Sequence, residues 1–222
     1  MKQSNHVFVA SHVSPDGDAL GSLIATALML DAMGKKSTLY NESPIPAVYR
    51  FLPDTERIVR EFACPEICDT AVILDCSDIG RVGKIAQQIS RIPLLINIDH
   101  HATNTFFGNL HCVDPQACAT AEIVYRFITM MHIPLDKALA TAIYTGIVTD
   151  TGSFRFANTN KAAFSICDEM VARGVDPYTV AQHLYGTYSL GRLKLLNLAL
   201  DSIEILHNGQ VSFMTVTKEM LE

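Results

Sequence analysis

Leu94-Leu95-Ile96-Asn97-Ile98-Asp99-His100-His101 is an apolar run that stops at one carboxylate and two adjacent imidazoles. Branched aliphatic side chains at this density favour a strand buried on both faces. The polar triplet then stands at the strand's carboxyl end, and in open parallel α/β sheets that edge is where loops converge and ligands bind. Three other stretches deliver the same residue types. His6 to Ser11 leads into His12, Thr70 to Leu74 closes on Asp75, and a helical run from Leu135 to Thr149 ends at Asp150.

Outward from this run, strands alternate with helices. After the first strand, Pro15 and Gly17 enforce a turn, and a helix runs from Ala19 to Met33, where Gly34 ends it. Lys36 to Tyr40 is a second strand, and the proline-rich segment 41–53 is loop with at most one helical turn. Beyond Asp75 the chain turns into a helix ending near Ser90, and Asn109 to Val113 adds one more strand. This spacing predicts βαβ units and an α/β fold with a mainly parallel sheet flanked by helices. Helices are expected over 119–131, 135–149, 161–173, 176–184 and 189–201. Residues 202–207 and 210–216 flank Asn208-Gly209, a signal for a tight two-residue hairpin.

At 222 residues with 49% hydrophobic content, the chain has ample material for a core. A net charge of −6 carries no footprint of a duplex-binding surface. The six cysteines match no zinc knuckle or CxxC motif, and with no secretory segment at the amino end they are expected to be reduced thiols in a cytoplasmic protein. Cys64 and Cys68 could form a redox pair, although ordinary half-buried thiols fit better. The longest uncharged apolar stretch, 138–149, is too short for a bilayer, which takes about 20 residues.

Four apolar elements thus end in hard or borderline metal ligands: His12-x3-Asp16-x-Asp18, Asp75, Asp99-His100-His101 and Asp150. Carboxylates gathered in one cleft repel one another, and cations resolve the repulsion. The donors exceed what one ion would use. Two divalent ions about 3.5–4 Å apart, bridged by a carboxylate and a water or hydroxide, would employ them all. Asp75 is the natural bridge, since it stands alone between the His12 loop and the Asp99 strand. Imidazole and carboxylate without thiolate suit Mn²⁺ first, with Mg²⁺, Co²⁺ or Fe²⁺ as alternatives. Asp78 reads as a cap, Gly21 as a close approach of helix and strand, and His6, His111, His132, His183 and His207 as structural or surface residues. Arg192 and Lys194 read as a solvated helix face.

With these motifs in their order, the chain resembles the DHH phosphoesterases, and most closely the oligoribonuclease and 3',5'-bisphosphate nucleotide (pAp) phosphatase subfamily. The match is carried by His12-x3-Asp16-Gly-Asp18-Ala-Leu-Gly21-Ser22, Leu74-Asp75-x2-Asp78, Asp99-His100-His101-x2-Asn104, Ala119-Thr120-Ala121-Glu122 and Gly146-x3-Asp150-Thr-Gly152. The resemblance implies one metal on His12, Asp16 and Asp75, and a second on Asp18, Asp75, His100 and Asp150. It implies that Asp99 orients the cluster and that His101 faces the scissile phosphate, with Asn104 and Arg155 as weaker substrate contacts. It further implies hydrolysis of short single-stranded RNA and pAp by a hydroxide that two metals activate. Residues 1–186 would be the DHH catalytic domain, 187–201 a linker helix, and 202–222 the incomplete start of a DHHA1-like domain. The alternatives are another small phosphate substrate, such as pyrophosphate, polyphosphate or a dinucleotide, and a metal-binding fragment without turnover. No membrane partner is expected, and a homodimer is left open.

Overall fold

The computed structural model describes residues 4–62, 67–186 and 190–221. Cys64, and with it the suggested Cys64–Cys68 pair, lies outside them, as does Ser189 at the start of the expected last helix.

Six strands form one parallel sheet: β1 (His6–Ser11), β2 (Lys36–Tyr40), β3 (Ile58–Val59), β4 (Thr70–Leu74), β5 (Leu94–Asp99) and β6 (Leu110–Val113). Their order across the sheet is β3-β2-β1-β4-β5-β6. The chain therefore winds outward from β1 in one direction and from β4 in the other, and the β1/β4 junction is the switch point outside which such sheets bind ligands. Register sharpens this, because Ser11 pairs with Leu74 and Leu74 with Ile98. One step further on, His12, Asp75 and Asp99 come level across three adjacent strands.

Helices α1 (Gly17–Ala32), α3 (Thr120–Met130) and α4 (Lys137–Asp150) pack together over one face of the sheet. On the other face a core of Phe8, Ala10, Ala71, Ile73 and Leu95 packs under Val82, Ile85 and Ile89. Those last three come from a 3-10 turn at Ile79–Val82 and the single-turn helix α2 (Ala86–Ile89), where one longer helix was expected. Gly83 at φ 96° breaks the run, and Asp78 caps the first turn by accepting from Gly80 N–H at 2.8 Å. β3 was not foreseen; two residues long, it is defined by pairing with β2 rather than by any local pattern.

Gly21 serves a helix–helix contact and not the helix–strand approach expected of it. A Cβ there would lie 2.5 Å from the Ala142 carbonyl oxygen of α4. α1 and α4, whose ends carry Asp18 and Asp150, are thus held at backbone distance. Within buried α4 the hydroxyls of Thr141, Thr145 and Thr149 donate to carbonyls four residues back, so its threonines leave no unmet donor.

α5 (Lys161–Ala172) and α6 (Pro177–Tyr185) follow. Backbone contacts divide the chain into a unit over residues 1–180 and another over 181–222. The second contains α7 (Leu190–Asp201) and the antiparallel pair β7 (Glu204–Leu206) and β8 (Val211–Phe213). Leu206 pairs with Val211, so four residues make the turn and not two; His207, Asn208 and Gly209 all take left-handed φ. No described helix is long and apolar enough to cross a membrane.

Candidate metal centre

The ligand-type side chains converge from the ends of β1, β4, β5 and α4 and from the start of α1. His12 leaves β1 and is 6% exposed. Its Nδ1 bonds the Val13 carbonyl at 2.8 Å, which turns Nε2 toward Asp75 Oδ2 at 3.4 Å and Asp16 Oδ1 at 3.9 Å. Asp16 caps α1 by accepting from Ala19 N–H at 2.9 Å. Asp75 sits at φ 57°, a left-handed conformation unusual for a residue with a side chain, and its N–H donates to the Ile98 carbonyl at 3.0 Å. Its two oxygens look opposite ways: Oδ2 faces His12, while Oδ1 lies 3.9 Å from His100 Nε2 and 3.7 Å from His101 Nδ1.

Asp18 is fully buried in the first turn of α1. The start of α3 is aimed at it, with Thr120 N–H donating to Oδ2 at 2.6 Å and Ala121 N–H to Oδ1 at 2.9 Å. A helix N-terminus facing a carboxylate offsets part of its burial cost. Asp150, at the end of α4, places Oδ2 3.5 Å from His100 Nε2.

Donor atoms of His12, Asp16 and Asp75 lie within 4.8 Å of one another, and the same holds for Asp18, His100 and Asp150 and for Asp75, His100 and His101. The chemistry of these sets fits cations. Burial, with Asp75, Asp150 and Asp16 nearby, holds the Asp18 carboxyl well above its ordinary range. Burial and the carboxylates of Asp75 and Asp16 push Asp150 up to about 6, against the pull of His100 and His101. His100 is the sharper test. Its Nδ1 faces the Ala117 carbonyl at 3.3 Å, and its Nε2 is buried with no hydrogen-bond partner among the described residues. A neutral imidazole whose Nδ1–H is so engaged points a lone pair at two carboxylates, an arrangement that a shared cation makes favourable.

Asp99 is turned away from these sets. Its Oδ1 accepts from His101 Nδ1 at 2.7 Å and its Oδ2 from Asn104 Nδ2 at 2.6 Å. Burial opposes a proton on His101, but the larger effect of the Asp99 hydrogen bond raises the His101 pKa. Asn104, expected at the substrate, is 7% exposed and its amide is spent internally on Asp99, Asn97, the Cys76 carbonyl and Phe106 N–H. Arg155 is exposed on the loop beyond Asp150, its Nε donating to the Gly152 carbonyl at 2.6 Å.

Three contributors were given no role from the sequence, although Thr120 lies within the matched stretch Ala119-Thr120-Ala121-Glu122. Thr120 Oγ1 donates to Asp75 Oδ1 at 3.0 Å. Asn158 Nδ2 donates to Asp150 Oδ2 at 2.9 Å and to the Cys118 carbonyl at 2.8 Å. Asn97, the one polar residue among the first five of the apolar run, donates to the Cys76 carbonyl at 3.1 Å. That interruption was the visible hint for Asn97.

The chain is similar to several known proteins. A model described as "DHH family, N-terminal domain" matches residues 6–147. A Thermus thermophilus protein named bifunctional oligoribonuclease and PAP phosphatase NrnA is 38% identical over 169 residues, covering 76% of this chain and 50% of that protein. The Bacillus subtilis protein of the same name is 27% identical over 97% of this chain and 68% of its own length. A crystal structure of an exopolyphosphatase-related protein from Bacteroides fragilis superposes with a TM-score of 0.91 at 28% identity, covering 99% of this chain and 67% of that one. The chain thus spans between half and about two thirds of the length of these relatives.

Proposed function

Because the chain belongs to the DHH family, we propose that it is a phosphoesterase dependent on two divalent ions, Mn²⁺ by preference, that hydrolyses short RNA oligonucleotides and the 3'-phosphate of pAp. The observation that carries this is the Asp75 carboxylate set between two groups of donors, with the buried and unpartnered Nε2 of His100 beside it. His12, Asp16 and Asp75 would hold one ion, and Asp18, Asp75, His100 and Asp150 the other. Ions so held make water nucleophilic near neutral pH and neutralise charge on a phosphoryl group. That is how an acidic chain binds an anion.

The protein's own residues do the rest. Asp99 fixes His101 through Nδ1 and favours its protonated form, so His101 can donate a proton to the departing oxygen or a hydrogen bond to a phosphoryl oxygen. Asn104 and Asn97 hold Asp99 in that orientation. The start of helix α3 aims Asp18, and Asn158 does the same for Asp150. Arg155 is the cation closest in sequence to the last ligand and is offered as a substrate contact. The names of the Thermus and Bacillus relatives support the choice of substrate.

In this proposal residues 1–186 form the catalytic domain, 187–201 a linker helix and 202–222 the opening of a second domain, and the greater length of the relatives supports that division. The five described cysteines are free, which supports work in the cytoplasm. The deciding experiment is hydrolysis of pAp and of a labelled RNA dinucleotide with added Mn²⁺, using Asp75→Ala as control. Turnover that the variant lacks, together with fewer than two bound ions in the variant, is the expected result. Normal two-ion occupancy in Asp75→Ala would refute the bridging role.

A further inference from the structure

The loop that leaves Asp150 has a backbone that L-residues seldom adopt. Gly152, Ser153 and Phe154 follow one another at φ 56°, 59° and 64°. Left-handed residues ordinarily occur singly, and strain of this kind gathers at functional sites. The turn folds the chain back on itself: Arg155 and Phe156 N–H both donate to the Thr151 carbonyl, at 2.9 and 3.0 Å. Asn158 then closes the loop on Asp150 Oδ2 at 2.9 Å.

What the turn presents is an aromatic ring. A Cβ built on Gly152 would stand 2.5 Å from Phe156 Cζ and 2.6 Å from both of its Cε atoms. Near-equal distances to three ring atoms mean that the ring lies over the glycine by its face and not by its edge. One face is covered by Gly152, and Phe156 is nonetheless 56% exposed. Arg155 stands next to it, tied to the same glycine through Nε. Phe154 behaves differently, for its ring stacks on Phe164 at 4.8 Å and 20°. A strained turn that shelves a large apolar ring outward, two residues beyond a metal-ligand position, does nothing for the core.

We propose that Phe156 and Arg155 form a base-stacking subsite for single-stranded nucleic acid, the ring taking a nucleobase face to face and the guanidinium lying against the adjoining phosphate. The proposal rests on the phosphoesterase reading above and adds to it where the rest of the strand lies. Aromatic shelves paired with arginine hold single strands with little sequence preference, because every base offers a π face. A protein partner would be recognised through pockets or strand edges, and this loop has only a ring and a cation to offer.

The chain contains no tryptophan, so Phe156→Trp introduces a single indole at the shelf, whose emission is excited apart from that of the seven tyrosines. It is titrated, with Mn²⁺ present, with a phosphorothioate RNA dinucleotide that resists cleavage and with the matching abasic ribose-phosphate. Quenching by the first and none by the second is the expected result. Equal response to both, or none to either, overturns the subsite. In parallel, Phe156→Leu keeps apolar bulk but loses the π face. It should raise KM for the RNA dinucleotide roughly 5- to 30-fold, the equivalent of about 1–2 kcal/mol for one stacked base. The loss should fall on KM rather than kcat, with Mn²⁺ occupancy kept and Phe156→Tyr restoring the parent value. Parental KM in Phe156→Leu overturns the subsite. Fluorescence needs no turnover, so it decides the matter even if the wild-type chain hydrolyses nothing, a result that would count against the phosphoesterase reading alone.

Discussion

Replacing Gly21 by alanine sets two magnitudes against each other. Gly21 lies inside α1, where alanine is favoured over glycine by about 1 kcal/mol. If there were room, the variant would be the more stable protein. The added Cβ, however, would stand 2.5 Å from the Ala142 carbonyl oxygen, 3.1 Å from Gly146 N and 3.3 Å from Gly146 Cα. These are backbone atoms of a second buried helix and cannot rotate away. A carbon–oxygen contact relaxes at about 3.3 Å, so α1 and α4 must part by roughly 0.8 Å. Overpacking a dense core costs about 1–3 kcal/mol, and a backbone collision belongs at the upper end. The net loss is then about 1–2 kcal/mol, or a Tm lower by about 2–8 °C for a chain of this size. The same displacement separates Asp18 on α1 from Asp150 on α4, so affinity for the second of two Mn²⁺ ions should fall while the first is kept. Thermal unfolding in EDTA and a calorimetric Mn²⁺ titration read the two effects. A Gly21→Ala chain that melts higher than wild type would mean that helix propensity wins and that the close approach plays no part in shaping the centre.

Other outcomes follow from the site itself. His101→Ala should keep both ions while losing most turnover; loss of an ion would make His101 a ligand. In the metal-free chain the Asp150 pKa is raised by burial to about 6 from an ordinary value of 3.8. The folded state therefore retains a proton that the unfolded state releases between those values, a stabilisation that is full below about pH 4 and lost as pH rises through about 6. Asp18 shifts in the same direction. The difference between Tm in Mn²⁺ and Tm in EDTA should widen from about pH 5 to about pH 7, and a constant difference would show that these carboxyls are not the ones the ions neutralise.

Strands that end in ligand-type residues were legible because the signal is local: an apolar run must be buried, and the first polar residues after it must sit at the sheet edge. His12, Asp75 and Asp99 were found in this way, and the register places them level with one another; Asp150 was found at the end of a helical run. What escaped depends on partners distant in sequence. Thr120 looks like an ordinary helix start until α3 is seen to aim at Asp18, and β3 exists only against β2. Asn104 is a different case. The resemblance offered it as a weaker substrate contact, and the structure has its buried amide bonded to Asp99 and Asn97. The turn at 207–210 was misjudged because Asn-Gly favours a two-residue turn, whereas His207 also adopts left-handed φ and lengthens it. Gly21 was seen as a close approach, but a single glycine does not say which element it admits.

The clamp of α3 on Asp18 also bears on how the molecule comes into being. Thr120 and Ala121 reach a carboxylate 102 and 103 residues earlier in the chain, and the donors around it run from His12 to Asp150. Contacts of such separation are formed late, after loop-closure entropy has been met by the growing core. During synthesis the amino-terminal half emerges with its carboxylates apart and hydrated, offering an ion nothing better than a lone aspartate would. On the two-ion reading, the full donor set exists only once α4 has docked, so a bound ion would be a signature of finished folding rather than its template.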